Sequence, residues 1–141
     1  MGRLPAEMAA SEAQGSNMDY ETPIKFLRVV WLNAAQSPDK PFTAQDAKTF
    51  LLALSVDIDV QVVDVATAQL GEGVTGVAIL KESSMSVHTY FERGLVCVEV
   101  MANIEKTTRD VAVSAMDILK GIGLNVTGTH TLHTFFCGPT P

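Results

Sequence analysis

Residues 73–94 of the 141-residue chain read GVTGVAILKESSMSVHTYFERG, and this is the most informative stretch of the sequence. Residues 74–80 are apolar enough for a strand that is buried on both faces. Residues 86–91 alternate between apolar and polar side chains, as a strand does when one face is buried. Because so few residues separate the two segments, the sequence predicts antiparallel strands joined by a short turn that contains Glu82 and Ser83.

Strand and helix signals continue on both sides of this hairpin. Further strands, rich in β-branched and aromatic residues, are predicted over 24–32, 60–65, 95–101 and 125–136. A helix is predicted from Thr43, an N-cap residue with Asp46 in the capping-box position, to about Ser55. A second helix is predicted over 107–121, where it ends at a glycine.

The order of these elements is strand, helix, three or four strands, helix, strand. This order predicts an α+β fold, a two-layer sandwich in which an antiparallel sheet carries two helices on one face. The other face of the sheet then lacks a cover within the chain. A partner subunit is the simplest cover, so we expect an assembly of subunits.

Composition and net charge limit the classes of protein to which the chain can belong. Apolar residues make up 47% of the chain and charged residues 18%, which is typical of globular proteins. We expect a flexible tail over residues 1–20 and a single domain over 21–141. The net charge of −6 argues against a nucleic-acid partner and is compatible with a cationic small-molecule substrate. Long apolar runs are absent from the sequence, which predicts no membrane partner.

The thiols and histidines point to no metal. Cys97 and Cys137 form no CxxC motif, so a reducing, cytoplasmic location is the expectation. Cys97 is expected to be a small buried strand residue. His130 and His133 lie three apart in a predicted strand and therefore point to opposite faces, so the sequence predicts no metal site.

The turn between the two central strands carries the chemistry. A serine held in a strained turn, here Ser83, can attack the preceding carbonyl of Glu82, and the resulting ester can break by β-elimination. The downstream chain then begins with a pyruvoyl group, whose ketone acts as an electron sink in decarboxylation. His88, five residues later, is a candidate base, and Thr75, eight residues earlier, is a candidate hydroxyl that steadies the intermediate. We expect both to lie near the turn.

Several short motifs follow one another along the hairpin. They are GVTGV (73–77), Glu82-Ser83, SVHT (86–89), Glu92 and Gly94. In residue type and spacing this series resembles the signature of the prokaryotic S-adenosylmethionine decarboxylase proenzymes, which read GVSGV, then ESH, then an IHTWPE-like segment that ends at a glycine. The resemblance is strong over 73–101 and depends on element order elsewhere.

The resemblance implies autocatalytic cleavage between Glu82 and Ser83, with Ser83 becoming the pyruvoyl cofactor. It implies that His88 and Thr75 assist this processing. It also implies decarboxylation of S-adenosylmethionine in polyamine (spermidine) biosynthesis. The family assembles so that two protomers share active sites, which implies a homodimer here.

Some positions depart from the family pattern. Ser84 replaces a histidine, and Tyr90-Phe91 replaces a Trp-Pro pair. Tyr90 keeps an aromatic face for an adenine ring, so Tyr90 and Glu92 are the candidate substrate-binding residues. The family's catalytic cysteine, the proton donor in decarboxylation, aligns with Asn103, whose amide is not an acid.

Three functions follow from these observations. The first, favoured by the motifs, is S-adenosylmethionine decarboxylation. The second is pyruvoyl-dependent decarboxylation of another amino acid, such as ornithine or arginine, which would keep Ser83, His88 and Thr75 and explain the altered positions. The third is a non-catalytic, unprocessed homologue, which would explain the loss of the proton donor at Asn103.

Overall fold

The computed structural model describes residues 25–137, so the tail predicted over residues 1–20 lies outside the described part of the chain. The described residues form β1 (Lys25–Ala35), α1 (Ala44–Asp57), β2 (Val62–Leu70), β3 (Gly73–Leu80), β4 (Ser84–Tyr90), a short 3-10 helix (Phe91–Arg93), β5 (Leu95–Ala102), α2 (Thr108–Ile122) and β6 (Asn125–Cys137). Apart from the short 3-10 helix, the element order is the one that the sequence predicts.

The strands form one six-stranded sheet in the order β2-β3-β4-β5-β1-β6, and every neighbouring pair is antiparallel. The run from β2 to β5 follows from short connections, because consecutive strands joined by few residues pair side by side. Strand β1 lies in the interior of the sheet, between β5 and β6. This architecture confirms the predicted two-layer α+β sandwich.

Both helices begin at capping boxes. The Thr43 hydroxyl accepts a hydrogen bond from the Asp46 amide, and the Asp46 carboxylate accepts one from the Thr43 amide. Thr107 and Asp110 make the same pair of bonds at the start of α2. These bonds satisfy amides that have no partner within the first helical turn. Within residues 25–137, neither helix is long and apolar enough to cross a membrane.

The core lies between the helices and one face of the sheet. Helix α1 packs over β2 and β3, α2 packs over β1 and β6, and the helices contact each other. The largest fully buried side chains include Phe50, Leu32, Leu51, Leu54, Met85 and Leu119. They come from both helices and from β1 and β4, so removal of this surface from water holds the two layers together.

Strand β1 continues through residues 33–35, beyond the end of the strand that the sequence predicts over 24–32. Its register with β6 shifts after Trp31 and again after Asn33. Such bulges bend a strand while the pairing on either side is kept. The Ala34 amide also donates to the carbonyl of Gly94 at 2.9 Å, which ties this end of β1 to the start of β5.

Gly76 marks a close approach of α1 to the sheet. A Cβ atom at this position would lie 3.0 Å from Cδ1 of Leu51 and 3.3 Å from both Cβ of Ala47 and Cγ1 of Val87. Packing therefore favours glycine here, because a side chain would force neighbouring atoms of α1 and β4 to shift.

We expect Gly76→Val to lower the free energy of unfolding by about 1–3 kcal/mol, because an overpacked core forces side chains and backbone to shift. Ala35→Val, at the exposed end of β1, is the control and should stay within about 0.5 kcal/mol of the parent chain. Urea unfolding followed by circular dichroism measures both. A Gly76→Val chain as stable as the parent would contradict the close packing.

Candidate active site

The sheet face opposite the helices has no cover within residues 25–137, and we call it the open face. Successive side chains of a strand point to opposite faces, so every second residue lies there. Its side chains include Leu27, Trp31, Thr75, Val77, Ile79, Ser84, Ser86, His88, Tyr90, Cys97, Glu99, Met101, His133 and Phe135. The open face therefore combines apolar groups with a small set of polar ones.

Three polar side chains on the open face form a line across β3, β4 and β5. Thr75 pairs with His88 across two strands, and Glu99 lies on the next strand. Thr75 Oγ1 is 3.3 Å from His88 Nδ1, and His88 Nε2 is 3.5 Å from Glu99 Oε1. The two ring nitrogens of His88 thus face a hydroxyl on one side and a carboxylate on the other.

The carboxylate orients the imidazole. Because an ionised carboxylate only accepts hydrogen bonds, Glu99 favours the tautomer of His88 with the proton on Nε2. Nδ1 is then left to accept a hydrogen bond from the Thr75 hydroxyl, as a general base does. The Ser86 hydroxyl donates to Glu99 Oε1 at 2.9 Å and holds the carboxylate in place.

A cavity of about 530 Å³ opens beside His88, and we call it the histidine cavity. Thr75, His88, Tyr90 and Glu92 all line it. The ring of Tyr90 lies 5.6 Å from that of Trp31, so two aromatic side chains stand together at this end of the open face. The structure thus brings together four of the seven site residues that the sequence predicts.

Two more of the predicted residues, Glu82 and Ser83, lie in the three-residue turn between β3 and β4, which we call the processing turn. The amide of Leu80 donates to the carbonyl of Ser83 at 2.8 Å, and the amide of Lys81 donates to the carbonyl of Gln61 at 3.0 Å. These bonds hold the backbone on both sides of Glu82.

The seventh residue, Asn103, lies beside the processing turn. It and Ser83 line one cavity of about 160 Å³. The buried guanidinium of Arg28 donates to the carbonyl of Ala102 at 3.4 Å and to that of Ile104 at 3.3 Å, on either side of Asn103. The position where the sequence lacks the expected cysteine is therefore held next to the predicted cleavage site.

The two groups of predicted residues lie at opposite ends of the hairpin. Ile79 pairs with Ser84 next to the processing turn, whereas Thr75 pairs with His88 far from it. His88 follows Ser83 by five residues, which corresponds to about 16 Å along a strand. The expectation that Thr75 and His88 lie near the turn is wrong within one chain, because both strands run directly away from it.

Cys97 lies on the open face between His88 and Trp31 of the neighbouring strands. It is only 4% exposed, which confirms the expectation of a small buried strand residue. Burial, followed by the nearby charge of Glu99, raises the pKa of the Cys97 thiol to about 12. The thiol therefore stays protonated at neutral pH.

His88 and His133 have different neighbours on the open face. His133 stacks on the ring of Phe135, with centroids 6.0 Å apart. Within residues 25–137, no group of three or more His, Cys, Asp or Glu side chains is placed to hold a metal ion. Around His88, the available chemistry is exchange of protons between hydroxyl, imidazole and carboxylate groups.

Sequence reasoning missed Glu99 and Lys25. Glu99 belongs to a predicted strand, but its contact with His88 depends on a pairing register that sequence does not reveal. Lys25 donates a hydrogen bond from Nζ to the carbonyl oxygen of Glu82, which lies 57 residues away in sequence. A contact over that separation has no local signal.

Comparison with known proteins gives first the fold and then the family. The crystal structure of the adenosylmethionine decarboxylase from Aquifex aeolicus VF5 matches with a TM-score of 0.59 and 19% identity, over 84% of this chain and 94% of that chain, so the two share a fold. The model of the S-adenosylmethionine decarboxylase family matches residues 33–135. No curated protein matches. The chain belongs to the S-adenosylmethionine decarboxylase family, and its function is decarboxylase-like.

We expect iodoacetamide to modify Cys97 at pH 8 about ten-fold or more slowly in the folded chain than in urea, because only the thiolate reacts and the raised pKa keeps the thiol protonated. Peptide mass mapping separates this modification from that of Cys137. The same shift stabilises the fold below the ordinary pKa of 9.0, and this contribution is lost as the pH rises through about 12. Equal rates in folded and unfolded chains would contradict the assignment.

Proposed function

We propose that the chain is the proenzyme of a pyruvoyl-dependent S-adenosylmethionine decarboxylase, which cuts itself between Glu82 and Ser83 and acts in cytoplasmic spermidine biosynthesis. The observation that carries this proposal is the line of Thr75, His88 and Glu99 on the open face of a chain of this family. That line supplies an oriented base with a hydroxyl beside it. The serine and the carbonyl that processing requires lie in the processing turn.

In this proposal, a second copy of the chain brings the His88 end of one hairpin to the Ser83 end of the other. The open face exposes apolar side chains, including Val77 at 37% and Ile79 and Phe135 at 52% each, and such patches favour association. Two copies docked through their open faces, with their hairpins antiparallel, set the His88 end of one against the Ser83 end of the other. A two-fold interface is self-complementary, so both sites form at once. We therefore propose a homodimer.

Processing begins as an isomerisation of the chain. Ser83 Oγ attacks the carbonyl carbon of Glu82, the peptide C–N bond breaks, and the hydroxyl proton ends on the nitrogen of Ser83, which leaves an ester. His88 of the second copy relays the proton, and the Thr75 hydroxyl at its Nδ1 assists. Loss of the Cα proton of residue 83 then expels the Glu82 carboxylate, and water displaces the nitrogen as ammonia.

The surroundings of Ser83 fit a small carbonyl group. Ser83 is half-buried and borders the cavity of about 160 Å³ that it shares with Asn103. A pyruvoyl carbonyl, once formed, supplies the electron sink for loss of carbon dioxide from an amino acid. Tyr90 offers a ring face to adenine, and the Glu92 carboxylate accepts hydrogen bonds from ribose hydroxyls. The Asn103 amide donates and accepts hydrogen bonds but is not an acid, so the proton for the product comes from another group.

Asn103 beside Ser83 is also the observation that favours a second candidate. A pyruvoyl-dependent decarboxylase of ornithine or arginine keeps Ser83, His88 and Thr75 but has different requirements for binding and proton transfer. A non-catalytic homologue would instead keep the Glu82–Ser83 bond intact. Cleavage and substrate choice separate these readings, and each has its own measurement.

Intact mass spectrometry tests the cleavage. The parent chain is expected to give fragments 1–82 and 83–141, and Ser83→Ala and His88→Ala alone are expected to stay uncut. When the two variants are co-expressed, the His88→Ala chain is expected to be cut, because the Ser83→Ala copy supplies the histidine. A mixture that stays uncut would contradict the shared site, and a parent chain that stays uncut would contradict self-cleavage.

Release of carbon dioxide from carboxyl-labelled substrates tests the reaction. The cut protein is expected to act on S-adenosylmethionine, and Tyr90→Ala is expected to raise KM about ten-fold because stacking on a base contributes roughly 1–3 kcal/mol. Ornithine and arginine are the comparison substrates. Turnover of only these two would overturn the first candidate in favour of the second, and an uncut, inactive protein would favour the non-catalytic homologue.

A further inference from the structure

The side chain of Lys25 contacts the bond that processing would break. Its ammonium group donates a hydrogen bond to the carbonyl oxygen of Glu82. This oxygen belongs to the carbonyl that Ser83 attacks in the proposed cleavage. Lys25 also lies outside residues 33–135, the part of the chain that matches the family model.

The sheet explains how Lys25 reaches this position. Strand β1 begins where β5 ends, because Phe26 pairs with Ala102, and β4 begins beside the same end of β5, because Ser84 pairs with Met101. The first residue of β1 and the processing turn therefore lie at one edge of the sheet, separated by the end of a single strand. A long lysine side chain spans that gap.

We infer that Lys25 is a catalytic residue of the self-cleavage, which it promotes by binding the oxygen of the Glu82 carbonyl; this inference rests on the proposed function. When Ser83 Oγ bonds to the carbonyl carbon, the C=O electron pair moves onto oxygen and leaves a negative charge there. The ammonium of Lys25 is a hydrogen-bond donor with a full positive charge, so it stabilises that oxyanion more strongly than the neutral carbonyl.

The step balances without any further reactant. The tetrahedral carbon formed by the attack collapses, the C=O bond reforms, and the C–N bond breaks as its nitrogen takes the proton that left the Ser83 hydroxyl. Lys25 keeps all its protons throughout, because it acts through charge and hydrogen bonding. Lys25 therefore assists the conversion of the Glu82–Ser83 amide into an ester, a step that precedes β-elimination.

Two substitutions separate the charge of the Lys25 side chain from its length. Lys25→Met keeps a long apolar side chain and removes the ammonium, and Lys25→Arg keeps a charged donor. Lys48→Met is the matched control, because it removes the same charge from an exposed position on α1, away from the processing turn. Thermal unfolding by circular dichroism confirms that the variants fold as the parent chain does, which is expected because the Lys25 contact is exposed.

The experiment follows the cleavage of newly synthesised chains by intact mass against time. Lys25→Met is expected to cut about 100- to 1,000-fold more slowly than the parent chain, as with the loss of one oxyanion donor. Lys25→Arg is expected to retain most of the rate, and Lys48→Met is expected to match the parent chain. Equal rates for Lys25→Met and the parent chain would overturn the inference and leave the proposed function intact.

Hydroxylamine identifies the step, because it cleaves esters and bypasses β-elimination. If Lys25 acts on ester formation, the slow cleavage of Lys25→Met is expected to stay slow when hydroxylamine is added. Restoration of the parent rate would show that the ester forms normally, which would overturn the inference. A parent chain that is never cut would overturn the proposed function and this inference together.

Discussion

The pairing of β3 with β4 determines where every group of the candidate site lies. Ile79 opposite Ser84 leaves only four residues, 80–83, to connect the paired positions, and the same register sets Thr75 opposite His88. A slip by one residue would move His88 to the helix side of the sheet. The core prevents such a slip, because β4 must direct Met85 and its other apolar side chains towards the helices. Packing on one face thus determines the chemistry on the other.

The same register separates the reactants within one chain. The oriented imidazole of His88 stands at one end of the hairpin, and the serine and the carbonyl that it would serve stand at the other. In a monomer, therefore, His88 lies too far from the Glu82–Ser83 bond to act on it. Under the proposed function, cleavage therefore depends on assembly, which would keep a newly made chain intact until a second copy binds.

Local sequence signals predicted the helices and strands well, but contacts between residues far apart in the sequence were not predicted. Thr43 and the residues after it carry a capping box and apolar spacing within a few positions, so the helix and the α+β class followed from sequence. The motifs also identified Thr75 and His88 as candidate residues, but neither their pairing across the two strands nor their distance from Ser83 was predicted. Glu99 and Lys25 were missed because their contacts depend on which strands are neighbours, and β1 joins β5 across most of the chain.

Neighbouring strands of this sheet come from opposite sides of the Glu82–Ser83 bond. The upstream segment supplies β1, β2 and β3, and the downstream segment supplies β4, β5 and β6, yet the sheet order places β1 between β5 and β6. A break at that bond leaves three strand pairs joining the two pieces, β3 with β4, β5 with β1, and β1 with β6, and leaves one helix of the shared core on each piece. The strands of the two fragments are interleaved in the sheet, so the fragments would separate only when the whole domain unfolds.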